Sequence, residues 1–185
     1  MNIEVISGSP RQHSKTLRVA LHLQQWLSQN TSHEVGLINL QDWKLPHMES
    51  VFSSPAEAPA HLQPLVKRMF RADAFLLVTP EYNGSYSPAL KNLLDHFPKQ
   101  EHKTFGVVTA STGALGGMRA AQQLLLLVPA LFGIASPHLL IVPQVEKKFD
   151  EAGHLTEETF AKSVQKFATE FLWLAERTCT AEQLA

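Results

Sequence analysis

Ala74-Phe75-Leu76-Leu77-Val78-Thr79 is an apolar run with no charge and no alternation, followed at once by Pro80-Glu81-Tyr82-Asn83-Gly84-Ser85. A strand that is apolar on both sides must be covered on both faces, which is the condition of an inner strand of a parallel sheet. A helix follows directly. Ser87 supplies a cap and Pro88 a first helical position, while Leu90, Leu93, Leu94 and Phe97 recur at helical spacing and mark one buried face. In an open parallel sheet such a junction lies at the carboxyl edge of the strands, where ligands bind, and Asn83-Gly84 permits a sharp turn close to a flat group.

The same alternation recurs along the chain. Ile3 to Ser7 reads as a first strand, joined by Gly8 to Thr16 to a helix that reaches about Gln29. In that helix Arg18, His22, Gln25 and Gln29 form a narrow polar stripe, as expected of a helix lying on a sheet and covered at its flanks. Glu34 to Asn39 is a second strand, and Leu62, Leu65, Val66, Met69 and Phe70 give a second helix. Phe105 to Ala110 is another buried strand, with a helix from about Met118; Pro129 should end or kink that helix. Leu139 to Val142 forms a fifth strand, Phe149 to Gly153 a turn, and Thr156 with Glu157-Glu158 opens a last helix that buries Phe160, Val164, Phe167, Phe171 and Leu174. Five strands alternating with helices, without internal repeats, predict one α/β domain over 1–185. Its core is a doubly wound five-stranded parallel sheet of order 2-1-3-4-5.

Composition narrows the function classes. A chain of 185 residues that is 44% hydrophobic and 18% charged can bury a sizeable core. Its net charge of −1 and scattered basic residues give no footprint for nucleic acid or an anionic membrane. The lone cysteine, Cys179, excludes an internal disulfide and a cysteine-based metal or iron–sulfur centre. The apolar start is interrupted by Glu4, which predicts neither a signal peptide nor a membrane span and makes the cytoplasm the expected location. None of the nine histidines has a zinc-protease spacing, so they read as solvated side chains and no metal is expected. Without a G-x-S-x-G elbow or a C-x5-R loop, hydrolysis through a covalent intermediate has no support.

Two further loops carry chemistry. Gly8-Ser9-Pro10-Arg11-Gln12-His13-Ser14-Lys15-Thr16 opens a helix with hydroxyls and a guanidinium, the composition of an anion loop. It is one residue out of register with a P-loop, Ser14 stands where the second glycine should precede Lys15, and the glycines of a dinucleotide fingerprint are missing. A single phosphate monoester fits better. Ser111-Thr112-Gly113-Ala114-Leu115-Gly116-Gly117, with three glycines after a buried strand, points to close backbone approach to a ligand.

Pro80-Glu81-Tyr82-Asn83-Gly84-Ser85, followed by Pro88 and Leu90-Lys91-Asn92, resembles the signature of the NADPH-dependent FMN reductases, a flavodoxin-like family that includes quinone, azo-dye and chromate reductases. The resemblance continues in the glycine-rich loop before Arg119-Ala120-Ala121-Gln122 and covers nearly the whole chain. It implies FMN held by three loops, with its phosphate on Ser9, Arg11, Ser14, Lys15 and Thr16. The ring would lie against Pro80, Glu81, Tyr82, Asn83, Gly84 and Ser85 and against Ser111, Thr112, Gly113, Gly116 and Gly117. Thr16 stands where many members carry Asn, and His96 where an aromatic such as Trp is frequent. The implied activity is electron transfer from NADPH or NADH through FMN to a small acceptor (free flavin, quinone, azo compound or metal oxyanion) by a ping-pong mechanism. The flavin would perform the chemistry and no residue would be catalytic. An electron carrier of flavodoxin type and a non-catalytic flavin-binding regulator are the alternatives.

Three expectations concern geometry. Gly84 and Gly116 should face the ring, so that a Val at either would hinder flavin binding. Leu124 to Val128, apolar all round, together with the helix from Pro88 to Phe97, predicts a homodimer or a dimer of dimers. In the loop from Leu40 to Ala58, Trp43, Met48 and Phe52 read as packing residues, the alternative being a rim over a neighbouring subunit's flavin.

Overall fold

The computed structural model describes residues 1–182. Its strands are β1 (Asn2–Ser7), β2 (Glu34–Asn39), β3 (Ala74–Thr79), β4 (Thr104–Ala110), β5 (Ile134–Ala135) and β6 (Leu140–Val142). Its helices are α1 (Lys15–Asn30), α2 (Gln63–Arg71), α3 (Pro88–Asp95), α4 (Met118–Ala130), α5 (Val145–Lys148) and α6 (Ala161–Glu182). All pairings are parallel, in the order β2-β1-β3-β4-β5, with β6 also on β4. Among the described residues no helix is long and apolar enough to cross a membrane.

Alternation along β3 divides the core into two layers. Ala74, Leu76 and Val78 pack with Val19, Leu23 and Leu27 of α1 and with Val164, Phe167 and Phe171 of α6. Phe75 and Leu77 point the other way, into a layer with Leu65, Val66 and Met69 of α2, Leu90, Leu93 and Leu94 of α3, and Ala121, Leu124 and Val128 of α4. Successive side chains of a strand face opposite sides, so an all-apolar strand requires helices on both. Glu4 is the buried charged side chain of the sheet among the described residues. Although almost buried, it is held by Arg68 of α2 in a two-point pair at 2.9 and 2.5 Å.

The edge of the sheet differs from a single fifth strand over Leu139 to Val142. Two short segments share that edge: β5 pairs with Thr104 and Phe105 at one end of β4, and β6 with Val108 to Ala110 at the other. Pro137 lies between them and has no N–H to donate to a ladder. Val145–Lys148 adds a helical turn that periodicity over four residues does not reveal. The last helix starts later than Thr156, because Thr156 is tied to α5 through its N–H to Lys148 O (2.8 Å) and its hydroxyl to Lys147 O (2.9 Å). A 3₁₀ turn at Glu158–Phe160 then leads into α6, where Leu174 and Phe160 are only partly buried.

Two histidines are structural rather than solvated. His96 is buried, stacks on Phe52 at 5.3 Å between ring centroids, and pairs through Nδ1 with Asn92 O at 2.7 Å. His22 on α1 meets Gly153 O through Nδ1 at 2.9 Å, and burial pulls its pKa below the ordinary 6.5. In the loop from Leu40 to Ala58, Phe52 and Trp43 pack against the core as expected, whereas Met48 is exposed.

Candidate cofactor site

The loops after β1, β3 and β4 meet at the carboxyl edge of the sheet because those three strands are adjacent and parallel. Side-chain and backbone bonds staple them together. Gly8 N–H donates to Val78 O at 2.7 Å, and the Ser87 hydroxyl donates to Gly8 O while accepting Leu90 N–H at 3.1 Å, so the cap of α3 also fixes the first loop. Ser87 N–H in turn donates to Thr79 Oγ1 at 3.1 Å.

In the second loop Tyr82 and Ser85 exchange backbone bonds of 2.8 and 3.1 Å around Asn83 (φ 51°) and Gly84 (φ 83°). Left-handed φ at both central residues is the geometry that Asn-Gly favours. The third loop ends at Gly117, whose left-handed backbone starts α4 without a side-chain cap of its own. Glu81 supplies one from the second loop: its Oε2 accepts Arg119 N–H at 3.1 Å and Ala120 N–H at 3.4 Å, and Oε1 lies 3.6 Å from the Arg119 guanidinium. A carboxylate at a helix N-terminus is favourable for both the free N–H groups and the dipole.

Between the loops is a cleft of about 380 Å³ lined by Ser9, Arg11, Gln12, His13, Ser14, Lys15 and Thr16, by Pro80, Glu81 and Tyr82, by Ala110, Ser111 and Thr112, and by Val145. Ten of the residues singled out in the sequence therefore line one cleft: Ser9, Arg11, Ser14, Lys15, Thr16, Pro80, Glu81, Tyr82, Ser111 and Thr112. Asn83, Gly84 and Ser85 sit at the turn beside it, and Gly113, Gly116 and Gly117 are not among its lining. Gly116 does not face the cleft as expected. A Cβ there would lie 2.6 Å from Ile141 Cγ2 and 2.8 Å from Pro143 N, so its hydrogen-only side is turned to the protein. Gln12 and His13 escaped notice because neither has the hydroxyl or guanidinium of an anion ligand. Val145 escaped because it belongs to the unforeseen turn α5.

The chemistry of the lining fits a phosphate ester with a flat ring. Ser14 is the residue before α1, yet its side chain caps nothing; its Oγ is buried without a hydrogen-bond partner among the described residues, and so is the hydroxyl of Tyr82. Buried hydroxyls are ordinarily paired, so each of these two, in a residue that lines the cleft, retains an unused hydrogen bond. Ser9 and Thr16 are buried close by. Arg11 is exposed at the mouth, with its guanidinium 4.5 Å from the centre of the Tyr82 ring, spanning the first and second loops. Ser85, Gly113 and Gly116 N–H are engaged within their loops, by Tyr82 O, Ser111 Oγ and Gly113 O, and are not ring donors.

Residues 1–147 match the family of NADPH-dependent FMN reductases. The chain is 30% identical over 156 residues to an NADPH azoreductase of Bacillus sp. (strain OY1-2), covering 83% of each protein. It is 28% identical over 173 residues to an FMN-dependent NADPH-azoreductase of Staphylococcus saprophyticus, covering 91% of this chain and 92% of the relative. Among solved structures, FerB, a flavoenzyme NAD(P)H:(acceptor) oxidoreductase from Paracoccus denitrificans, superposes with a TM-score of 0.79 at 26% identity over 96% of this chain and 98% of its own. The α/β sheet is accordingly flavodoxin-like. A family match spanning all three loops and the strands that carry them places this chain among the NADPH-dependent FMN reductases, as an NAD(P)H-dependent flavin oxidoreductase.

Proposed function

We propose that the cleft seats FMN with its phosphate against Ser9, Ser14, Thr16, Arg11 and Lys15, and that NAD(P)H and a small electron acceptor use the remaining opening in turn. The observation that carries this reading is the buried, unpartnered Ser14 Oγ at the start of α1, beside two cationic side chains. Bound FMN supplies the redox chemistry, taking a hydride from the nicotinamide and passing electrons on. The chain's own residues bind and orient. Hydroxyls of Ser9, Ser14 and Thr16 donate to phosphate oxygens, Arg11 and Lys15 balance the charge, and the Tyr82 hydroxyl and the backbone N–H groups of Asn83, Gly84 and Thr112 are among the donors left for the ring. No general acid or base is required of the chain. Acceptors of the kinds named for its relatives, azo compounds among them, are the class to try first.

With no dinucleotide fingerprint in the sequence to hold NAD(P)H elsewhere, donor and acceptor alternate at this cleft in the proposed cycle. Initial rates measured while NADPH and a benzoquinone are both varied should give parallel double-reciprocal lines; intersecting lines would require a ternary complex and defeat the shared opening. NADH in place of NADPH, under the same conditions, establishes the donor preference. Absence of turnover with every acceptor would favour a carrier or a regulator.

The assembly proposed is a homodimer, or a dimer of dimers, through α4. Leu115, Met118, Leu125, Leu126 and Phe132 are exposed along that helix and its two ends, Leu126 by 69%. The helix α3 does not add to this surface: its leucines are buried on the sheet, and Lys91 and Asp95 pair on its outer side. Apolar side chains gathered on one helix mark an interface. Light scattering at micromolar concentration should give at least twice the chain mass, and Leu126→Glu should return it to the monomer; a monomeric parent protein would contradict the assembly.

A further inference from the structure

Glu81 is the one acidic side chain that lines the cleft, and its carboxylate is also the cap of α4. These two positions have opposite electrostatic consequences. An uncapped helix N-terminus presents unpaired N–H groups and the positive end of the dipole, and would favour any negative charge that develops on a ligand beside it. With Glu81 in place, Arg119 and Ala120 N–H are already bonded and the Arg119 guanidinium is partly offset at 3.6 Å. The remaining cations at the cleft, Arg11 and Lys15, belong to the first loop, and Arg11 is turned onto Tyr82. The second and third loops are therefore left without net positive charge where they meet.

Resting on the proposed seating of FMN in this cleft, we infer that Glu81 is a positioning residue that also lowers the reduction potential of the bound flavin. Hydride transfer delivers two electrons and one proton, so oxidised FMN gains one negative charge on its ring unless a further proton is taken up. A fixed carboxylate at the junction of the ring loops disfavours that charge, holding the reduced cofactor at higher free energy and making it the stronger donor to the acceptor. The neutral cap that the fold alone requires would be met equally well by an amide. A Gln carbonyl oxygen accepts the same two N–H bonds, and what is lost is the charge together with its offset of Arg119.

The test compares the parent protein with Glu81→Gln and Glu81→Ala. Dissociation constants for oxidised FMN and for anaerobically reduced FMN are measured for each, together with thermal unfolding. For Glu81→Gln the melting temperature should stay near the parent value, while reduced FMN binds about tenfold more tightly relative to oxidised. That ratio corresponds to a potential raised by about 30 mV for a two-electron couple. Glu81→Ala, which loses the acceptor as well as the charge, should also melt earlier and bind both forms more weakly. A ratio in Glu81→Gln equal to or below that of the parent, with FMN bound normally, would overturn the inference and leave the seating intact. Loss of FMN binding in Glu81→Gln without loss of stability would also overturn it, since the charge would then serve seating. A parent protein that binds no FMN would overturn the seating and the inference together.

Discussion

Gly116→Val is expected to lower the stability of the fold by about 2–5 kcal/mol. Two costs add. Gly116 has φ of +61°, where an L-residue is disfavoured by about 1–2 kcal/mol and a β-branched one more. Its Cβ would also meet Ile141 Cγ2 at 2.6 Å and the backbone of Pro143 at 2.8 Å, and overpacking of that kind costs about 1–3 kcal/mol because a backbone atom cannot rotate away. For a domain of this size the melting temperature should fall by ~4–20 °C. Gly84→Ala is the control: φ is +83°, but the nearest atom to its Cβ is Arg119 Cδ at 3.6 Å, so only the backbone cost applies. If Gly116→Val melts with the parent but binds FMN weakly, Gly116 faces the ring after all.

Arg11→Ala should weaken FMN binding by about 1.5–3 kcal/mol, roughly 10- to 150-fold, the scale of one hydrogen bond to a charged group. Riboflavin, which has no phosphate, should bind about equally to both forms. Arg11 also rests on the Tyr82 ring, a contact worth about 0.5–1 kcal/mol at an exposed site. Titration of both ligands separates the two roles. Equal FMN affinity in mutant and parent removes Arg11 from the site, and an equal loss for riboflavin assigns its effect to Tyr82 rather than to phosphate.

Much of the fold is local and so was legible. The limits of β2 and β3, the Ser87 cap, Pro88 at the first position of α3 and the left-handed Asn83-Gly84 turn all follow from residues within a few positions of one another. The parallel order follows from the alternation of such units, and with it the convergence of three loops at one edge. Ser9, Arg11, Ser14 and Tyr82 could be placed at the cleft because a loop that ends an inner parallel strand has no other edge to occupy. The split edge, by contrast, rests on segments of two and three residues, too short for either period to register.

Residue types at known spacing thus determined the four inner and N-terminal strands, the parallel order and which loops line the cleft. Only the tertiary structure decided what each loop atom does there. Glu81 reads in the chain as a ligand of the ring, and in the fold it caps a helix whose first turn is remote in sequence. His96 reads as a histidine where the family often has an aromatic, and the fold buries it against Phe52. Gly116 reads as a place for a ligand to approach, until β6 and Pro143 occupy its open side. Ser14 reads as one hydroxyl of an anion loop, and only the fold shows that its Oγ is buried without a partner among the described residues. The physical reason is common to all four. Backbone preference is set by near neighbours along the chain, whereas the direction of a Cβ and the pairing of a buried polar atom are set by segments that meet only once the sheet has formed.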